Sequence, residues 1–590
     1  MGRGRRELEK NPKVKYAKNA KRMSSEEIEK KKKIIVRIGI TILALIILFV
    51  IALIANNYII LDNNTTTNLI INNSNVTSNL RHEIIQEDGV IYLSEDDIAN
   101  FFDKYIYLEE ENNSIITTYN KKIAEVSLEE NVININGADK TTSAHAIERD
   151  GVIYIPISEM TEVYDIEIGN MEETKIITMD SLDQEQRKAI VTSNLAVKSS
   201  TNFIARTVDR IEEGDTVVVI SFDGSNARIR TENGKIGYIK ANKLANEYLV
   251  REDMPEEKQI EGKINMTWDY YSEVGSAPDR TGTTIEGVNV VSPSFFYIDE
   301  NGVFRENIGE SGEAYIEWAH GNGYKVWPMV SNAPAANESL EITSEIMNSY
   351  ENRKQLIEQI VDACVAYNLD GINIDFENMK QEDIDLYSRF IIELTPRLNE
   401  IGMVVSVDVT APDGGETWSL CFDRNVIGDV ADYIIFMGYD QNGVSSQTAG
   451  TTAGYNWVEL NLVKFLQTEE IDSDKLILGI PFYTRIWTEN ANGELIRTST
   501  VNMEDIEELL PDNVERTWDD ELKQYYVEYQ DGSNIRKMWI EDVESLKAKV
   551  SLANENNLAG VASWQYGMET EDVWPMLKEE LGLWDSPWQY

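Results

Sequence analysis

The longest uncharged apolar run in the chain is 38–55, preceded by Lys30-Lys31-Lys32-Lys33 and Arg37. About 20 apolar residues cross a bilayer core, and 34–55 reaches that length if Arg37 snorkels to the interface. With the basic residues on its N-terminal side, the positive-inside rule predicts a basic cytoplasmic tail (1–33), a single-pass transmembrane helix (34–55) and the remainder outside the cell. A signal peptide is the rival reading. Against it stand the long basic region and the lack of an A-x-A-like site after the run. Residues 56–82 are dense in Asn, Thr and Ser (Asn63-Asn64-Thr65-Thr66-Thr67), too poor in apolar groups to fold, and read as a flexible linker.

Beyond the linker the pattern changes to short alternating strands. Asp88-Gly89-Val90-Ile91-Tyr92-Leu93 recurs as Asp150-Gly151-Val152-Ile153-Tyr154-Ile155, each followed by a helix-like run (95–102, 158–164). An Asp-Gly turn feeding β-forming residues predicts hairpins. Segments 114–118, 123–128 and 131–135 are further strand candidates inside a module over 83–185. A second small β-rich module, 190–248, carries short strands such as Val217-Val218-Val219-Ile220 between Gly214-Asp215 and Asp223-Gly224 turns, a spacing that suggests a small barrel.

From 260 to 590, near-continuous apolar strands alternate with helical periodicity (Ile384, Tyr387, Ile391, Leu394). The strands are expected at 262–269, 287–297, 324–331, 371–376, 403–410, 432–438, 475–482 and 559–565. Strands apolar on both faces belong to a parallel sheet covered by helices. The predicted fold class is therefore α/β, a (β/α)8 TIM barrel with an α+β insertion at 488–538.

Charge then narrows the function. Residues 1–37 hold 14 Lys+Arg against 5 acids (+9), which leaves 40 against 97 (−57) in 38–590 of a chain with net charge −48. So acidic a surface repels phosphates, and nucleic acid is not expected as a partner. There are 2 cysteines, Cys364 and Cys421, both expected in barrel helices as buried thiols or one bridge, and 3 histidines in no metal-binding pattern. No cofactor or metal is called for.

The chemistry of such barrels sits where strands end. Those ends hold Trp268-Asp269-Tyr270, Phe296-Tyr297, Trp327, Asp375-Phe376-Glu377, Asp408, Met437-Gly438-Tyr439-Asp440, Tyr483-Thr484-Arg485 and Trp564-Gln565-Tyr566. Carboxylates and flat aromatic faces together suit sugars. Asn373, Asp375 and Glu377 at i, i+2 and i+4 point to the barrel interior, while Ile372, Ile374 and Phe376 face the helices. Two crowded, shielded carboxylates raise the proton affinity of one, which suits a general acid. The competing reading makes these polar residues mere filling of the barrel, but no Lys or Arg accompanies them to offset the buried charge.

Asp370–Glu377 resembles the D-G-x-D-x-D-x-E signature of glycoside hydrolase family 18, the chitinase-like barrels. Met437-Gly438-Tyr439-Asp440 is similar to that family's M-x-Y-D, and Trp564 to its tryptophan at the end of strand eight. The resemblance implies a retaining, substrate-assisted reaction. Glu377 protonates the leaving oxygen and later activates water. The sugar's 2-acetamido oxygen attacks, Asp375 orients that group and Tyr439 hydrogen-bonds it. Trp564 floors the −1 sugar. Asn373, Asp440, Tyr483 and Arg485 are implied substrate contacts, and Trp268, Trp327 and Trp487 are candidate platforms.

The first inner Asp of the family is Asn373 here, a departure that puts an Asp–Asp proton relay in doubt. With Thr410-Ala411-Pro412, Trp418-Ser419, the run Gly479–Trp487 and Gly560-Val561-Ala562-Ser563-Trp564, this form is similar to the branch of bacterial spore-cortex and cell-wall N-acetylglucosaminidases. The 83–185 module resembles the N-terminal domain of copper amine oxidases, without a copper ligand cluster, and 190–248 resembles a bacterial SH3 domain, either wall-binding or a spacer. Peptidoglycan is thus the expected partner glycan. A chitinase, a sugar-binding inactive barrel and a wall-binding scaffold remain as alternatives.

Overall fold

A computed structural model describes residues 24–60, 66–202, 204–251, 260–272, 275–332, 339–412 and 414–583. The first 23 residues of the expected tail and Asn63-Asn64-Thr65 of the linker lie outside the described residues. The chain divides into two units, 1–79 with 167–254, and 80–166 with 255–590.

In the first unit, a 34-residue helix, Ser25–Tyr58, begins at a capping box in which Ser24 and Glu27 satisfy each other's main-chain N–H. At 1.5 Å per residue it is about 50 Å long, beyond the ~30 Å of a bilayer core. It is long and apolar enough to cross a membrane and buries none of its residues. The strand Asn68–Ile71 pairs in parallel with Ile176–Ser181. That pairing draws the end of the expected 83–185 module into this unit. An antiparallel seven-stranded sheet runs from Gln186–Val191 to Leu244–Arg251 around its own core of Val191, Val197, Ile211, Val217, Ala227, Ile229 and Ile239.

In the second unit the Asp-Gly echoes do make hairpin turns, with positive φ at Asp88 and Gly89 and at Asp150 and Gly151, as a primed turn requires. The run after the second echo is a short 3-10 turn, Ile157–Glu159, where a helix was expected. A five-stranded meander (Tyr107–Glu109 to Ala138–Thr141) rests on the barrel helices Tyr350–Ala366 and Ile384–Glu400. There Arg353 grips Glu393 through Nε (2.9 Å) and Nη2 (3.0 Å), the Tyr107 hydroxyl donates to Glu393 (3.0 Å), and Lys354 pairs with Glu125 (2.9 Å).

The barrel closes as the apolar pattern predicts. Its strands are β1 Ile264–Asp269, β2 Val290–Pro293 continued by Phe296–Ile298, β3 Lys325–Val326 continued by Met329–Ser331, β4 Gly371–Asp375, β5 Val404–Val409, β6 Tyr433–Met437, β7 Leu476–Pro481 and β8 Gly560–Trp564. All neighbours pair in parallel, and β8 returns to β1 through Ile264↔Gly560. Inside, Ile264, Met266, Trp268, Val290, Trp327, Met329, Ile435 and Ile477 form the packed floor beneath the mouth. The insertion is a five-stranded antiparallel sheet from Tyr483–Glu489 to Asn534–Ile540. It starts earlier than 488 because the chain leaving β7 pairs at once, Tyr483 with Asn502. Cys364 lies in a helix, whereas Cys421 sits in a turn ahead of the helix Arg424–Val430; both are buried free thiols.

Candidate active site

Strand β4 delivers the chemistry by simple alternation. Ile372, Ile374 and Phe376 are buried, with Phe376 stacked on Phe390 (5.7 Å) and Tyr387 (5.9 Å) of the covering helix. The opposite side of the strand turns Asn373, Asp375 and then Glu377 inward.

Asn373 is a hub below the site. Its Oδ1 accepts from Trp268 Nε1 (2.8 Å), and its Nδ2 donates to Asp408 Oδ1 (2.9 Å) and Ser406 Oγ (3.1 Å). It is fully buried and absent from the cavity wall, so it positions neighbours and is not a sugar contact. Trp327 and Trp487, expected as sugar platforms, are likewise buried and absent from the cavity wall. Trp327 is sealed in the floor, stacked on Tyr433 (5.7 Å) and pressed against Gly371, where an added Cβ would lie 2.7 Å from its ring. Trp487 is sealed in the insertion with Nε1 donating to the Gly450 carbonyl (2.7 Å). Neither offers a face to a sugar.

A cavity of roughly 490 Å³ opens at the C-terminal ends of the strands. Of the expected residues, Asp375, Glu377, Tyr439, Asp440, Tyr483, Arg485, Trp268 and Trp564 line it, together with Asp408. Among the described residues Asp375 Oδ1 is buried with no hydrogen-bond partner, and burial pushes its carboxyl up to about 7. Burial, followed by the charges of Asp375 and Asp440, holds Glu377 well above the ordinary carboxylate range. Asp408 is also raised, by burial and then by Asp375. Three acids so crowded cannot all carry charge, which keeps a proton available in the cavity.

Asp440, at φ +56°, accepts from the Tyr483 hydroxyl (2.7 Å) and Arg485 Nη2 (2.7 Å). Trp564 lies 5.8 Å from Trp268 and 5.7 Å from Tyr270, and Trp268 and Tyr439 meet at right angles with 6.5 Å between ring centres. These rings form an aromatic wall beside the acids. The conspicuous Asp269 is occupied elsewhere, held by Arg280 (2.9 and 2.7 Å) and the Tyr315 hydroxyl (3.0 Å).

Sequence reasoning passed over Tyr270, Trp418 and Asn332, which also line the cavity. Tyr270 follows β1 and Trp418 lies in the quoted Trp418-Ser419 pair, so a signal existed for both. Asn332, one residue past β3, had none.

Two relatives frame this geometry. The chain is 26% identical over 300 residues to the uncharacterized glycosylase YvbX of Bacillus subtilis (strain 168), covering 50% of this chain and 84% of the relative. It is 24% identical over 262 residues to the cortical fragment-lytic enzyme of the same organism, covering 43% of this chain and 60% of that protein. Residues 70–179 match the copper amine oxidase N-terminal domain. Residues 270–569, just over half of the chain, match the glycosyl hydrolases of family 18, and the chain belongs to that family.

Proposed function

We propose that this chain hydrolyses β-linked N-acetylglucosamine glycans by a retaining, substrate-assisted route, with peptidoglycan as its substrate. The observation that carries the reading is the pair Asp375, at the end of β4, and Glu377, two residues on, both with raised proton affinity, the first with a buried carboxyl oxygen left unpartnered among the described residues. Such an oxygen is ready to receive the N–H of a substrate acetamido group. Glu377 then gives its proton to the glycosidic oxygen as the C–O bond breaks and the acetamido oxygen closes on the anomeric carbon with inversion. Glu377, now a carboxylate, draws a proton from the water that attacks that carbon and reopens the ring, a second inversion that gives net retention. Tyr439 steadies the acetamido oxygen, and Trp564 with Trp268 supports the sugar face. The kinship with a cortical fragment-lytic enzyme supports a peptidoglycan substrate.

One observation favours a chitin-type glycan as a second reading. Among the cavity-lining residues Arg485 is the sole cation, and it is engaged with Asp440, so the wall gives little to the carboxylates of muramyl peptides. Mass analysis of fragments released from purified peptidoglycan, beside chitin oligomers, separates the two. Turnover of neither overturns the hydrolase reading.

The helix Ser25–Tyr58 is read as a retained single-pass anchor, with Lys30–Lys33 cytoplasmic and the barrel facing the wall, and 190–248 as an SH3-like spacer or wall contact. On cells stripped of wall, protease should remove the barrel and leave a small protected N-terminal fragment. A protected barrel, or one released without residues 1–55, overturns the placement.

A further inference from the structure

We infer that Asn332 is the positioning residue of the acid, fixing the peptide of Glu377 so that its carboxyl is aimed at the glycosidic oxygen; this rests on the hydrolase reading above. The β3–β4 ladder ends at Ser331↔Asp375, so the peptide groups of Glu377 lie beyond it and need partners from elsewhere. Asn332 supplies them with its side chain. Its Oδ1 accepts the Glu377 N–H (2.9 Å) and its Nδ2 donates to the Glu377 carbonyl (2.8 Å). A carboxamide carries the donor and acceptor of a peptide group and here extends the sheet by one rung. Its second amide hydrogen goes to Thr343 Oγ1 (3.0 Å), on the helix Ser339–Met347. Both Asn332 and Thr343 are buried. Among the described residues the Glu377 carboxyl oxygens make no hydrogen bond, so the placement of the acid depends on its backbone. The next residue, Asn378, turns away at φ +51°, leaving Asn332 as the main-chain grip at this point.

The test compares kcat/KM for phenyl and para-nitrophenyl glycosides of the same N-acetylglucosamine sugar, on the full chain in detergent. The phenyl leaving group needs a proton and the nitrophenyl group hardly does. Asn332→Ala should lose about 10- to 10²-fold on the phenyl glycoside, with KM unchanged and a much smaller loss on the nitrophenyl one. Thr343→Val, which frees one amide hydrogen and keeps shape, should show a weaker loss with the same dependence on leaving group. It decides the matter if Asn332→Ala does not fold. Equal losses on both substrates, or a raised KM with kcat intact, overturn the inference. Glu377→Gln run beside them separates the failures. If it shows no leaving-group dependence, the acid assignment itself is wrong; if it does and the Asn332 and Thr343 variants do not, only the role of Asn332 falls.

Discussion

Glu377→Gln is the sharpest perturbation of the site. An amide has nearly the shape of the carboxyl it replaces, and the two bonds that hold residue 377 to Asn332 come from its main chain, so the fold should persist. What disappears is the proton. A positioned general acid contributes about 10²–10⁴ in rate, or about 2.7–5.4 kcal/mol at ~1.36 kcal/mol per decade. The upper part of that range is expected on an unactivated glycan, whose poor leaving group depends most on the proton. The other acids that line the cavity are Asp375, Asp408 and Asp440; Asp408 accepts from Asn373, and Asp440 is engaged by Tyr483 and Arg485. The pH profile adds a second readout. Burial, Asp375 and Asp440 raise the proton affinity of Glu377, so wild-type activity should persist above the usual carboxylate range and fall on the alkaline side as that proton is lost. The variant has no such proton to lose, and its residual activity should lack that limb. Release of reducing ends from N-acetylglucosamine oligomers across a pH series measures both. A variant within about 10-fold of wild type, or one that keeps the alkaline limb, refutes the assignment.

Asp375→Asn should weaken both turnover and inhibition by an oxazoline-mimicking thiazoline, and wild type should cleave an N-acetylglucosaminide but not the free-amine glucosaminide. Comparable cleavage of the free amine, or a covalent sugar adduct on Asp408 or Asp440, defeats substrate assistance. Asp375 also makes stability depend on pH. Its folded value of about 7 exceeds the ordinary 3.8. Between those values the folded chain holds a proton that the unfolded chain has released, so stability falls as pH rises through that window. Thermal unfolding should show this slope flattened in Asp375→Asn; identical slopes would contradict the burial of that carboxyl. Arg353→Met leaves Glu393, 1% exposed, as a buried unpaired charge and should cost about 3–5 kcal/mol, with most of it regained in Arg353→Met/Glu393→Leu. An unchanged Tm in the single variant would show that the pair is not sealed.

Why some of this was legible in the sequence and some not follows from the kind of signal each residue carries. The strands of the barrel announce themselves because both faces are covered, and an apolar run such as Leu476–Pro481 has no solvent side to interrupt it. Asp375 and Glu377 were legible because charge in such a run is costly and demands a purpose. The aromatic residues were less so. A tryptophan near a strand end can face the mouth, as Trp564 does, or fill the floor, as Trp327 does. What decides between them is whether a neighbouring strand leaves room: Trp327 packs into the space that Gly371 vacates, a relation between β3 and β4 that exists only in the assembled sheet. Asn373 shows the same limit from the other side. Its place in the motif suggested sugar, but three hydrogen-bonding side chains from β1 and β5 converge on it and seal it below the cavity. Asn332 is the extreme case. Nothing in an uncharged residue beyond β3 stands out until the register Ser331↔Asp375 is known, and then its carboxamide is the group that continues the ladder to Glu377. Residues that act on substrate carry their chemistry in their type. Residues that act on other residues carry it in register, and register is a property of the fold.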